Sequence, residues 1–202
     1  MKHLVKAAGA LLALTVVSAC TATVAQQTPI ASSPSQSSET GSAPGTSSAA
    51  PQVRSPLDTA KFDQQPCTAL TQAQATQIAN LISGQQSAGN VAPVCTWTDA
   101  DHNRVTVGFL PGNGGLATVY KTRDSASGYF EVAPDVAGYP AVFSATSDLR
   151  KDGGCQVVVG VRDDEAFTAN VGLLQSSPNY SDPCSLAAKT AEAVVTTLKA
   201  GA

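Results

Sequence analysis

Histidine is almost missing from this chain: two residues in 202, His3 and His102. A Ser-His-Asp or Cys-His site therefore has little to be built from. Zinc sites draw on several His or Cys donors, and the five cysteines include no Cys-x-x-Cys pair. Basic residues are also scarce, 12 Lys and Arg against 15 Asp and Glu, and they form no stripe. That excludes the electrostatic footprint of a nucleic-acid binder. The uncharged apolar run from Ala7 to Val17 is too short to cross a bilayer as a mature helix. No internal repeat is present.

What is there begins with a leader. Lys2 and Lys6 supply a positive start, Ala7 to Val17 an apolar centre, and Val17-Ser18-Ala19-Cys20 the end. Signal peptides have that order. A branched aliphatic, two small residues and a cysteine resemble the lipobox of bacterial lipoproteins. The resemblance implies removal of residues 1–19 and a diacylglycerol thioether on Cys20. Two acyl chains suffice for stable anchoring where one is marginal. The expected location is the cell membrane, anchored through Cys20 and facing the extracytoplasmic side. Cleavage would also discard His3, leaving His102 alone.

Residues 20–56 read as a disordered tether behind the anchor. They are Ser, Thr, Ala, Pro, Gln and Gly, with Glu39 and Arg54 the only charges and almost no branched aliphatic. Such a segment buries too little apolar area to offset its ordering entropy. As a flexible coil it would reach roughly 30–35 Å. From Leu57 aliphatics, aromatics and charges appear together, so residues 57–202 are expected to be one folded domain.

Periodicity within the domain predicts nine elements. Thr71-Gln72-Ala73-Gln74 is a capping box opening a helix over 71–83, with Gly84 as its stop. Val94–Thr98 and Arg104–Phe109 alternate around a polar turn and predict a hairpin. Leu116–Thr122 predicts a short helix, with Leu116, Val119 and Tyr120 facing in. Tyr129–Val132, Tyr139–Ala145, Gly154–Val161 and Ala166–Leu173 predict four more strands. Asp182-Pro183 caps a last helix running to about Lys199. The expected fold is α+β and two-layered: an antiparallel sheet of five to six strands, with N- and C-terminal helices on one face.

With Cys20 spent on lipid, Cys67, Cys95, Cys155 and Cys184 remain, and two disulfides are expected in an exported chain. Three pairings are open. Cys67–Cys95 and Cys155–Cys184 are preferred, because each joins the start of a helix to a strand close in sequence.

The landmarks form an ordered set: the lipobox, the tether, Pro66-Cys67, Cys95-Thr96-Trp97, Gly138-Tyr139-Pro140-Ala141, Cys155-Gln156-Val157 and Asp182-Pro183-Cys184. Together they resemble the actinobacterial lipoproteins of the domain-of-unknown-function 3558 family, over residues 62–200. The resemblance implies location and architecture and supplies no catalytic residue.

Candidate chemistry is thin. His102 sits at a hairpin tip, where a solvated histidine is the simpler reading. Asp99, Asp101 and Asn103 lack the glycine and distal glutamate of a calcium loop. Asp163-Asp164-Glu165 reads as a solvated turn, and Gly112-Asn113-Gly114-Gly115 lacks the Lys-Ser/Thr ending of a phosphate loop. Trp97, beside a cysteine, is expected in the core, whereas Tyr129, Tyr139 and Tyr180 lie near loops and are the candidate ligand or partner surface. These observations point to a non-enzymatic envelope lipoprotein binding an unknown protein or small molecule, without cofactor or nucleic acid. Two alternatives stand beside it. One is a cell-wall or glycan enzyme using carboxylates drawn from Asp124, Glu131, Asp135 and Asp148. The other is a ligand-sensing or scaffolding subunit with an exposed apolar patch.

Overall fold

The structure, a computed structural model, describes residues 49–124 and 128–201. The leader, Cys20 and the tether up to residue 48 lie outside the described residues. Among the described residues no helix is long and apolar enough to cross a membrane.

Seven strands form one antiparallel sheet: β1 (Gln85–Ser87), β2 (Val94–Thr98), β3 (Arg104–Leu110), β4 (Tyr129–Val136), β5 (Tyr139–Ala145), β6 (Gly154–Gly160) and β7 (Ala166–Gly172). Their order across the sheet is β1-β2-β3-β7-β6-β5-β4. The strand not foreseen is β1. Gln85-Gln86-Ser87 has no apolar alternation, and only pairing with β2 makes it a strand. β4 also runs four residues beyond its expected end at Val132, past a register shift between Ala133 and Val136. It turns into β5 through Ala137 (φ 50°) and Gly138 (φ 89°), the left-handed pair that a two-residue hairpin loop requires.

Strand alternation splits the side chains between two faces. One face carries Trp97, Val105, Val107, Phe109, Val157, Val159, Phe167 and Val171, all buried. Helix α4 (Pro183–Gly201) covers it. Proline stands at its first position, and the Asp182 carboxylate accepts the N–H of Ser185 at 3.3 Å, as the sequence predicts. Its stripe Ala187, Ala191, Val194, Val195 and Leu198 has no exposed surface. Burying a Val or Leu side chain stabilises by about 1.5–3 kcal/mol, so this stripe holds the helix on the sheet.

The same face takes the N-terminal elements α1 (Ala60–Gln64), a 3-10 turn (Pro66–Ala69) and α2 (Gln72–Ala79). Phe62 stacks on Phe109, and Phe109 packs on Phe167, both with centroids 5.8 Å apart. The capping box forms as expected: Thr71 Oγ1 accepts the N–H of Gln74, and Thr71 N–H donates to Gln74 Oε1. The helix stops earlier than Gly84. Asn80 turns left-handed at φ 51°, and its N–H and that of Leu81 close on Thr76 and Ala75 carbonyls. Gly84 has another reason to lack a side chain: a Cβ there would lie 2.6 Å from Cys95 Sγ and from the Trp97 ring nitrogen.

Two further expectations change. Helix α3 (Gly115–Thr122) lies on the opposite face, where Leu116 and Tyr120 cover Val142, Val158 and Ala166. Helices therefore occupy both faces, although α3 covers only one end of its own. The folded chain also begins before Leu57. Val53 and Leu57 are both core, the N–H of Val53 donates to Asp163 Oδ1 (2.9 Å) and that of Leu57 to the Val161 carbonyl (3.0 Å). Two isolated aliphatics in a polar stretch suffice, because the turn after β6 offers both apolar surface and acceptors.

The disulfides are Cys67–Cys95 and Cys155–Cys184, with Cα separations of 5.0 and 5.1 Å. The first fastens the 3-10 turn to β2; the second fastens the first turn of α4 to β6.

Candidate functional site

The half of the second face that α3 leaves uncovered is polar. Register sets Thr96 opposite Thr106, Thr106 opposite Asn170, and Asn170 opposite Gln156, a row across β2, β3, β7 and β6. The Thr96 and Thr106 hydroxyls share a hydrogen bond at 2.9 Å. Asn170 Nδ2 donates to Gln156 Oε1 at 3.2 Å, and Gln156 Nε2 donates to the Ser144 carbonyl at 2.7 Å. The row is thus held in place while keeping spare donors and acceptors on its solvent side.

Two open cavities, about 540 and 430 Å³, lie on this face. They share Tyr129, Ala145 and Gln156, so they form one groove. Volumes of this order suit a small ligand. The end beside α3 is more apolar, with Leu110, Val119 and Val158. The other end carries His102, Arg104 and Asp152, with Leu149 (52 % exposed) and Leu174 (51 % exposed) at its rim. Its floor is flat because Gly154 pairs with Gly172. A Cβ on Gly172 would meet nothing within 4 Å.

Tyr129 lines the middle of the groove. The β5–β6 ladder stops at Phe143 and Val157. Beyond it the Tyr129 hydroxyl accepts the Gln156 N–H at 3.0 Å. Burial pushes this hydroxyl above its ordinary pKa, against the Gln156 backbone bond and the nearby Arg150 charge. Arg150 lies over the Tyr129 ring at 4.2 Å, grips Asp148 with two bonds of 2.8 Å, and reaches Glu131 at 3.0 Å. The guanidinium hydrogen bond holds the Asp148 carboxyl down to about 2.

The residues singled out from the sequence are dispersed. Tyr129 lines the groove; Tyr139 is 4 % exposed, with its hydroxyl donated to the Ser55 carbonyl at 2.8 Å, so it offers no surface. Tyr180 is half-buried under Gly153, away from the polar row, beside Asp148, Arg150 and Lys151. Trp97 is in the core as expected. His102 is exposed at the hairpin tip with φ 65°. Asp99 folds its own turn, accepting from the N–H groups of Asp101 and Asn103. Asp163 and Glu165 bind Val53 N–H and the Thr59 hydroxyl. Gly115 sits tight against the Asp163 carbonyl, so the glycine run serves close packing. Of the four carboxylates, Glu131 and Asp148 converge on Arg150, Asp124 lies 3.5 Å from Arg123, and Asp135 is exposed on β4. Among the described residues no group of three or more His, Cys, Asp or Glu side chains is placed to hold a metal ion.

Thr106, Gln156, Asn170, Arg104 and Gly172 escaped sequence reasoning. Their signal was the second phase of each strand's alternation: where one phase is Val or Phe, the other is Thr, Asn or Gln. That phase marks a face kept from the core, but not that its members align.

No curated protein and no solved structure matches this chain. A family model described as a protein of unknown function, DUF3558, matches residues 15–197. The ordered cysteines, the antiparallel sheet and this match over most of the chain agree, and the protein belongs to the DUF3558 family.

Proposed function

We propose that this protein is a non-enzymatic binding module of the cell envelope, tethered through a lipidated Cys20 and taking its ligand in the open groove. The single observation that carries this reading is the row Thr96-Thr106-Asn170-Gln156, prearranged across four strands and left uncovered by α3. Aligned hydroxyl and amide groups, uncharged and fixed by one another, match a ligand rich in hydroxyl groups. The exposed Leu149 and Leu174 at the rim add apolar contact of the kind binding clefts use.

The first core residues of the folded unit lie away from the Arg104 end of the groove. Val53 and Leu57 dock on the turn after β6, at the opposite strand end from Gly154. A seven-residue strand puts about 20 Å between those ends.

A carboxylate enzyme needs a proton donor near neutral pH. Asp148, held at about 2 by Arg150, is ionised there and cannot be that donor.

The test is amide-shift mapping of the full chain, carrying Cys20→Ser to keep it unlipidated, with a neutral oligosaccharide as probe. Shifts confined to Thr106, Gln156, Asn170 and their neighbours are expected. Shifts elsewhere, or hydrolysis of the probe, would overturn the reading. Anchoring is checked separately by mass spectrometry of the N-terminal peptide from a lipoprotein-processing host, where an unmodified Cys20 would refute it.

A further inference from the structure

Arg104 stands out among the groove's charges. Its cross-strand neighbours on the open face are Thr98 and Gly172, neither of them charged. Among the described residues its guanidinium has no ion pair and no side-chain hydrogen bond, whereas Arg150 and Arg162 both have carboxylate partners. His102 lines the same end; Asp152 does too, but forms no ion pair with Arg104. Beneath lies the Gly154–Gly172 pair; the space a side chain on Gly172 would fill is empty, while a Cβ on Gly154 would lie 2.8 Å from the Leu149 Cβ at the rim. An exposed, uncompensated guanidinium beside a recess is a docking point for a planar or tetrahedral anion. The polar row starts two residues further along the same strand, since Arg104 and Thr106 share a face of β3.

We infer that Arg104, beside the open space at Gly172, is the subsite for an anionic group, carboxylate or phosphate, on a hydroxyl-rich ligand held by the Thr106–Asn170–Gln156 row. This deepens the groove reading and rests on it. Arg104 supplies the fork for the anion, and Asp152, at the same end, disfavours a second anion. The ligand class is therefore an acidic sugar or a phosphorylated polyol, distinguished from neutral sugars by Arg104.

The experiment uses the full chain with Cys20→Ser and three probes: D-glucuronate, inorganic phosphate and D-glucose. Glucuronate or phosphate is expected to shift the amides of Arg104, Gly154 and Gly172, while glucose moves only the polar row. Losing a charge-assisted contact weakens binding by about tenfold or more, so Arg104→Gln should weaken the anion by that factor and leave glucose unchanged. Raising salt should weaken the anion alone. Gly172→Val, placed where a Cβ has room, should abolish the anion shifts without lowering the melting temperature. If that variant unfolds, Arg104→Gln decides alone. Response to phosphate alone assigns a phosphorylated ligand, and to glucuronate alone an acidic sugar. If glucose moves the row but neither anion reaches the Arg104 end at about 50 mM, the subsite is wrong and the groove stands. Anion affinity unchanged in Arg104→Gln has the same meaning. Silence with all three probes overturns both.

Discussion

The Tyr129 hydroxyl accepts the backbone N–H of Gln156 at 3.0 Å, at the point where β5 and β6 separate. A side chain here does the work of a missing strand partner. Tyr129→Phe keeps the ring under Arg150 but leaves that N–H without its acceptor. An unpaired, partly buried donor costs about 1–3 kcal/mol. Denaturant unfolding should show a loss in this range, with faster amide exchange at Gln156. An unchanged midpoint would mean that water replaces the hydroxyl.

Each disulfide closes a loop, with sequence separations of 28 and 29. On the chain-entropy model each contributes about 3–4 kcal/mol. Replacing Cys67 and Cys95 together by Ala, or Cys155 and Cys184 together, should lower stability by that amount in equilibrium unfolding. A peptide map of the unreduced protein should show these two links, and a Cys67–Cys184 peptide would contradict the structure.

Two carboxylates give opposite pH dependences. Arg150 holds Asp148 at about 2, below its ordinary 3.8. A depressed pKa contributes stability that is present above 3.8 and lost as pH falls toward 2. Asp63 is raised, chiefly by burial, with the Thr59 hydroxyl opposing and Glu165 and Asp58 adding to the rise. Its Oδ1 is buried without a hydrogen-bond partner. A raised carboxyl destabilises the fold at neutral pH, and that penalty fades as pH falls through the raised value toward 3.8. Asp63→Asn should therefore raise the melting temperature at pH 7, with the gain shrinking in acid. Asp148→Asn should lower it at pH 7, with the loss shrinking between 3.8 and about 2. Thermal scans across pH check both signs.

Asn103, 4 % exposed, ties the β2–β3 turn to the segment after β7. Its Nδ2 donates to Asp99 Oδ2 and its Oδ1 accepts the Leu174 N–H, both at 2.8 Å. Asn103→Ala should cost about 1–3 kcal/mol and loosen the Leu174 rim of the groove. Hydrogen exchange at Leu174 reads the second effect; protection equal to the native protein would show that the bond does not hold the rim.

Periodicity and capping in the sequence by themselves determined much of this protein. The alternation of β3, β6 and β7, the Thr71–Gln74 box, the Asp182-Pro183 cap and the stripe of α4 are local patterns, set by steric and hydrogen-bonding rules within a few residues. The cysteine pairing was also within reach, because both bridges are short in sequence. Tertiary structure alone decided the rest. β1 exists only because β2 offers it hydrogen bonds, and Val53 is core only because a turn more than a hundred residues later receives it. The groove is of the same kind. Thr96, Thr106, Asn170 and Gln156 come from distant strands, and only register puts them in one row. Tyr139 looked like a surface residue and is buried, while Arg104 looked like only the first residue of a strand and lines the groove beside Gly172. Side-chain phase is written in the sequence; which phase meets a helix and which meets water depends on where α3 and α4 settle.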